Sequence, residues 1–223
     1  MFLMRVILPD RPGSLGAVAT ALGSIGADIE SVQIVQRGGE WVVDDFVVEP
    51  SAGVLPDELI SACHGLDEVE VLWISRTPTG SLVTDVEVLE EMLADPRRAG
   101  EVLLRAAPRL LHASWAMVLT TDGDPVLVGP NAPEPAETVL AAVGVHREPA
   151  RVELAADWMP GWPETTVAVV PVPQDPEHLV LVGRPGGPVF FDSELARLRY
   201  LAGSIHLGVQ RLSTARTRGT STR

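Results

Sequence analysis

Phe2 to Leu8 is an apolar run of strand length, stopped by the turn chemistry of Pro9-Asp10-Arg11-Pro12-Gly13. From Ser14 the period changes: Leu15, Val18, Ala19, Leu22 and Ile25 recur at three- and four-residue spacing, which predicts a helix ending at Gly26. Asp28 to Gln36 then reads as a strand, Gly38-Gly39 as a hairpin turn and Glu40 to Val48 as the partner strand. Pro56, Leu59, Ile60 and Cys63 predict a second short helix ending near Gly65, and Val69 to Ser75 a closing strand. The order is βαββαβ, a split βαβ sheet with both helices on one face.

Beyond Pro78 and Gly80 the pattern weakens. Residues 77–96 read as a connector, partly helical, in which Val86, Leu89, Met92 and Leu93 offer apolar groups for docking. A helical pattern runs from Arg97 to Leu111. Strands are predicted over Ser114 to Thr121, Val126 to Gly129, Thr166 to Val172 and His178 to Gly183, with Asp122-Gly123-Asp124 as the first hairpin turn. Asp192 is the expected N-cap of a last helix carrying Leu195, Leu198, Leu201, Ala202, Ile205, Val209 and Leu212. At 223 residues the chain is expected to hold two small domains, residues 1–76 and 97–213. The fold class is α+β.

Composition narrows the chemistry. All 17 basic residues are arginine, so a P-loop, a kinase-type strand lysine and a Schiff-base lysine are excluded. The single cysteine, Cys63, excludes an internal disulfide, a Cys-x-x-Cys pair and a thiolate zinc site, and fits a reducing, cytoplasmic compartment. The opening Met1 to Asp10 is too short for a signal sequence, and no segment reaches the roughly 20 apolar residues that span a bilayer, so no membrane is expected. Net charge is −8 over residues 1–80, −11 over 81–194 and +6 from Leu195 onward. Such an acidic body repels phosphate backbones, and no nucleic acid partner is expected. Residues 214–223, rich in Arg, Ser and Thr, have too few apolar groups to pack and read as a disordered tail.

Three short motifs occur in order on the first unit: Leu8-Pro9-Asp10-Arg11-Pro12-Gly13-Ser14-Leu15, then Gly26-Ala27-Asp28-Ile29, then Asp45-Phe46-Val47-Val48. With the βαββαβ pattern they resemble an ACT domain, a ferredoxin-like fold, over residues 2–76. The second unit, with its last helix after Phe190-Phe191-Asp192-Ser193-Glu194-Leu195, resembles a GAF domain in its order of elements. The ACT resemblance implies a non-catalytic regulatory or sensor protein that binds an amino acid or similar small metabolite, and a homodimer or higher homo-oligomer. A regulatory subunit that docks on a separate amino-acid enzyme is the alternative. No cofactor is expected.

The residues themselves point to the loop from Asp10 to Leu15. Gly13 lets a ligand approach the backbone, and the N–H groups of Ser14 and Leu15 at a helix N-terminus favour a carboxylate. Arg11 offers a charged clamp, and Pro12-Gly13-Ser14 alone reads equally as a plain helix start. Asp10, Arg11, Pro12, Gly13, Ser14, Leu15, Asp28 and Ile29 are the candidate ligand-binding residues. Asp28 stands where the family often has asparagine, and it favours an ammonium over a carboxylate. The five histidines lack metal or hydrolytic spacing, so no metal or catalytic residue is assigned. Asp44-Asp45, Asp67-Glu68 and Glu90-Glu91 read as solvated acids, each adjacent pair on a strand facing opposite ways. Trp158, Met159 and Trp162 mark either a packed cap or the wall of a pocket.

Overall fold

The computed structural model describes residues 1–76 and 85–205. It is an α+β protein with two antiparallel sheets and, among the described residues, six α-helices. None of those helices is long and apolar enough to cross a membrane.

The first sheet is built from β1 (Phe2–Pro9), β2 (Ala27–Arg37), β3 (Trp41–Pro50) and β4 (Glu70–Arg76), in the order β2-β3-β1-β4. Helices α1 (Ser14–Ser24) and α2 (Pro56–His64) connect β1 to β2 and β3 to β4. Alternation along the strands sends Met4, Val6 and Leu8 of β1, and Val42, Phe46 and Val48 of β3, to one face. There they pack with Val18 and Leu22 of α1 and Leu59 and Cys63 of α2 in a single core, so both helices cover the same face. Burying side chains of this size stabilises by about 1.5–3 kcal/mol each.

The opposite face carries Leu3 and Val43, both buried, and between them Arg5 and Asp45, also buried. It is covered by the second half of the chain. That half holds a sheet of β5 (Trp115–Thr120), β6 (Pro125–Val128), β7 (Ala150–Leu154), β8 (Thr165–Val172) and β9 (Asp175–Pro185), in the order β6-β5-β9-β8-β7. Helices α3 (Asp85–Ala94), α4 (Ala99–Leu110) and α6 (Asp192–Ala202) share a core with Ala116, Val118, Ala168, Val170 and Val182. Helix α5 (Ala136–Val143) and the 155–164 loop cover the other face with Trp115, Met117, Val167 and Leu181. With both faces covered, every residue of β8 is buried, which explains the apolar run from Val167 to Val172. Gly183 makes room for this packing: a Cβ there would lie 1.9 Å from the Trp115 ring.

Several expectations are corrected. In the segment 77–96, expected to be partly helical, residues 77–84 lie outside the described residues and α3 occupies 85–94; its docking face is Val88 and Met92, joined by Leu89. Val86 and Leu93, expected to dock, are 62% and 69% exposed. The reason is that Val88 and Met92 lie one turn apart and face α4, whereas Val86 and Leu93 flank that stripe. The N-cap of α6 is Phe191, not Asp192, because Glu194 in the first turn reaches back and accepts the Phe191 N–H at 2.8 Å. Strand β7 and helix α5 carry no strong sequence signal: β7 is a five-residue edge strand and α5 has eight residues after Pro135. Val209, Leu212 and the 214–223 tail lie outside the described residues.

Candidate functional site

The Asp10 to Leu15 loop joins β1 to α1 at one end of the first sheet. Gly13 occupies the N-cap place with φ +97° and ψ −19°, a left-handed conformation that a side chain disfavours, and no side chain caps the helix. An added Cβ at Gly13 would meet nothing within 4 Å, so the space above the loop is open. Of the N–H groups at the positive end of this eleven-residue helix, that of Ala17 goes to the Gly13 carbonyl at 2.9 Å, which leaves Leu15 and Gly16 as the uncapped donors. Ser14 is less available than the sequence implies, since its N–H points to the Arg11 carbonyl at 3.3 Å. Arg11 is not a free clamp either: its guanidinium pairs with Glu68 at 3.1 Å. Asp10 accepts from Arg37 at 3.0 Å. Pro12 is exposed beside them, and Leu15 is 46% exposed. Both ion pairs are solvated and contribute little stability, yet each neutralises its own charge.

Asp28 and Ile29 lie elsewhere. In the strand register Ile29 stands opposite Val48, and Arg37, beside the loop, opposite Val42. At about 3.3 Å per residue the two rows are roughly 20 Å apart, so one chain does not bring Asp28 to the loop. Asp28 is exposed and its Oδ1 accepts the N–H of Ile29 at 2.9 Å.

Asp44, inside the first sheet, is not the solvated acid that the sequence predicts. It stands in register between Val6 and Ile34, on the face that carries Val42 and Phe46, and is 4% exposed. Its Oδ1 is buried with no hydrogen-bond partner. Burial pushes its carboxyl above the ordinary aspartate range; Arg37 opposes this, and Asp45 and Asp10 add to it. The adjacent pair does face opposite ways, but neither member is solvated, because helices cover one face of β3 and the second half of the chain covers the other.

A second cluster sits on that other face. Arg5 binds Asp45 with two parallel bonds of 2.8 Å and reaches Glu194 at 3.1 Å. Arg184, from the second sheet, binds Glu194 at 2.8 Å and donates to carbonyls of Leu111, His112 and Pro188. Burial pushes the Glu194 carboxyl up, but the Arg184 and Arg5 guanidiniums reverse this and hold it below its ordinary value. His112 Nε2 lies 3.6 Å from Asp45 Oδ2, and burial, aided by Arg5 and Arg184, keeps its ring below the usual histidine range despite Asp45. A cavity of about 120 Å³ opens beside the cluster, lined also by Gln33, Ser193 and Arg197. Arg197 is held by Asp85 at 2.7 Å and by the Leu110 carbonyl at 2.9 Å. Each carboxylate here is matched by a guanidinium. The cluster joins the two halves; it does not present a free charge to a ligand. Nothing in the sequence spacing foretells it, as Arg5 and Glu194 are 189 residues apart.

Of the remaining candidates, Met159 is 5% exposed and the Trp158 ring packs 5.8 Å from that of Trp162. Trp158 Nε1 donates to Thr165 Oγ1 at 3.2 Å, so this loop is a packed cap. Cys63 is buried in the first core, where burial pushes its thiol up to about 11, away from thiolate chemistry.

No family model matches the chain. NAD-dependent malic enzyme 1 of Bacillus subtilis (strain 168) is 28% identical over 141 residues, a match that takes in 56% of this chain and 32% of the enzyme. The chain thus spans about a third of that relative's length. Among solved structures, a chain described as GqqA, a novel type of quorum quenching acylases, is 17% identical with a TM-score of 0.24, covering 35% of this chain and 30% of its own. An unknown protein from Galdieria sulphuraria is 14% identical with a TM-score of 0.30, covering 90% of this chain and 89% of its own. Scores this low do not establish a common fold.

Proposed function

We propose that this chain is a non-catalytic regulatory protein that binds an amino acid or similar small metabolite at the loop end of its first sheet. The observation that carries the reading is the uncapped start of α1: Gly13 in a left-handed conformation, open space where a Cβ would stand, and the Leu15 and Gly16 N–H groups left without a cap. That combination suits a ligand carboxylate, which gains both donors and the helix dipole. The strand order β2-β3-β1-β4 with two helices on one face supports an ACT-like, ferredoxin-like first domain, and the antiparallel sheet with helices on both faces suits a GAF-like second. Because Asp28 and the loop lie at opposite ends of one sheet, Asp28 joins the site only from a second chain paired in the opposite sense. A homodimer follows from the reading.

A second reading, a module that acts by docking on an enzyme, draws on the malic enzyme match, which takes in only a third of that enzyme. A thermal-shift screen of the purified protein against the proteinogenic amino acids separates the two. The sensor reading expects one or a few amino acids to raise Tm, by about 2.7 kcal/mol of linkage when ligand is a hundredfold above Kd. If none shifts the curve at millimolar concentration, the sensor reading fails.

A further inference from the structure

The junction of the two halves holds a titratable ring that the loop reading does not use. His112, in the turn after α4, brings its Nε2 to 3.6 Å from Asp45 Oδ2, and its side chain is 25% exposed beside the cavity of about 120 Å³. Charged groups stand round it from four elements: Arg5 of β1, Asp45 of β3, Arg184 of β9, and Glu194 and Arg197 of α6. Arg5 takes Asp45 at 2.8 Å, Arg184 takes Glu194 at 2.8 Å, and Arg197 is taken by Asp85 of α3 at 2.7 Å. Three guanidiniums meet three carboxylates, so the cluster is balanced while His112 is neutral. A proton on the ring adds a fourth cation with no carboxylate of its own, and an uncompensated charge is costly in so buried a place.

That cost falls on the junction itself. Arg5 and Asp45 belong to the first sheet, and His112, Arg184 and Glu194 to the second half. The Arg5–Glu194 pair at 3.1 Å and the Ser193 N–H to Gln36 at 3.3 Å cross between them. Moving the second half off takes His112 away from Arg5 and into water, where the ring accepts a proton at its ordinary value. We propose that His112 is a proton-operated latch: neutral, it lets the second half dock on the outer face of the first sheet, and protonated, it loosens that docking while each half keeps its own core. The direction agrees with the ring's lowered proton affinity, in which burial, with Arg5 and Arg184, outweighs Asp45 and Glu194. The docked form binds fewer protons than the open one, so docking is tightest above about pH 6.5 and weakens as pH falls below it.

Thiol labelling of the full chain tests the latch. Val43 is buried on the covered outer face, whereas Cys63 is buried in the core under α1 and α2. Val43→Cys in a Cys63→Ala chain therefore reports opening of the junction, and the native Cys63 reports opening of the first core. Both are labelled with a pyridyl disulfide at pH 7.5 and 5.5, and each rate is divided by that of an unstructured peptide thiol at the same pH. Val43→Cys is expected to react faster than Cys63 at both pH values. Its relative rate is expected to rise about five- to tenfold at the lower pH, and to rise no more than about twofold once His112→Gln is added. No rise, a fall, or an equal rise with His112→Gln overturns the latch. So do equal rates at Val43→Cys and Cys63, which mean that the junction opens only when the whole chain unfolds. Should Val43→Cys fail to fold by circular dichroism, Leu3→Cys on the same covered face takes its place and is read against the same outcomes.

Discussion

Replacing Arg5 by methionine removes the guanidinium at the junction of the two halves and keeps an unbranched apolar stem. Arg5 is 1% exposed and holds both oxygens of Asp45 at 2.8 Å. Glu194 keeps Arg184 and the Phe191 N–H, each at 2.8 Å, so the group left uncompensated is Asp45, itself 4% exposed. Stranding one buried member of an ion pair costs about 3–5 kcal/mol. At about 2–4 °C per kcal/mol for a chain of this size, Arg5→Met is expected to lower Tm by roughly 6–20 °C. The companion variant Arg5→Met/Asp45→Leu removes the stranded charge as well, and an apolar pair of similar volume is often neutral or better, so most of the loss returns. Both are measured by differential scanning calorimetry and urea unfolding at neutral pH. A drop below about 3 °C for Arg5→Met, or a double variant no more stable than the single one, refutes the view that Arg5 and Asp45 form a matched buried pair at the junction of the halves.

Three further outcomes follow from the same geometry. Because burial keeps His112 below the usual histidine range, the folded chain binds fewer protons there than the unfolded chain. The stability this contributes is full above about pH 6.5 and is lost as pH falls below it; urea midpoints from pH 7.5 down to about 5 should fall less steeply in His112→Gln. Gly13→Val places a branched residue at φ +97° in open space, so its cost is backbone strain of about 1–2 kcal/mol, visible in Tm, together with loss of any amino-acid-induced shift. On α3, Met92→Ala should cost about 2–5 kcal/mol by leaving a cavity against α4, whereas Leu93→Ser, on the 69% exposed side, should stay within about 0.5 kcal/mol; paired urea titrations compare them.

Local structure in this chain was legible wherever a period or a punctuating residue carried it. The βαββαβ order of the first unit, its hairpin at Gly38-Gly39 and the Gly13 helix start all follow from spacing and turn chemistry, and the element bounds agree within two residues. What failed to show are features made by packing between distant segments. Asp44 and Asp45 look like a solvated pair because alternation tells only that they face opposite ways; their burial depends on α1 and α2 on one side and on α6 with the turn before β5 on the other. Arg5 is one charge in an apolar run, and its partners Asp45 and Glu194 are 40 and 189 residues away. Its presence on a central strand was the available signal, since a charge kept there needs a buried partner. The docking side of α3 escapes the sequence for a related reason: Val86, Val88, Leu89, Met92 and Leu93 on ten positions fit more than one stripe, and only the position of α4 selects Val88 and Met92.

Hydrogen exchange of backbone amides, read with and without a saturating amino acid that raises Tm, tests the central claim most directly. If the ligand carboxylate lies on the first turn of α1, amides of the Pro12 to Val18 segment become protected while those lining the cavity beside Arg5 and Glu194 change little. Protection confined to that cavity, or to the second sheet, with the start of α1 exchanging as before, contradicts it.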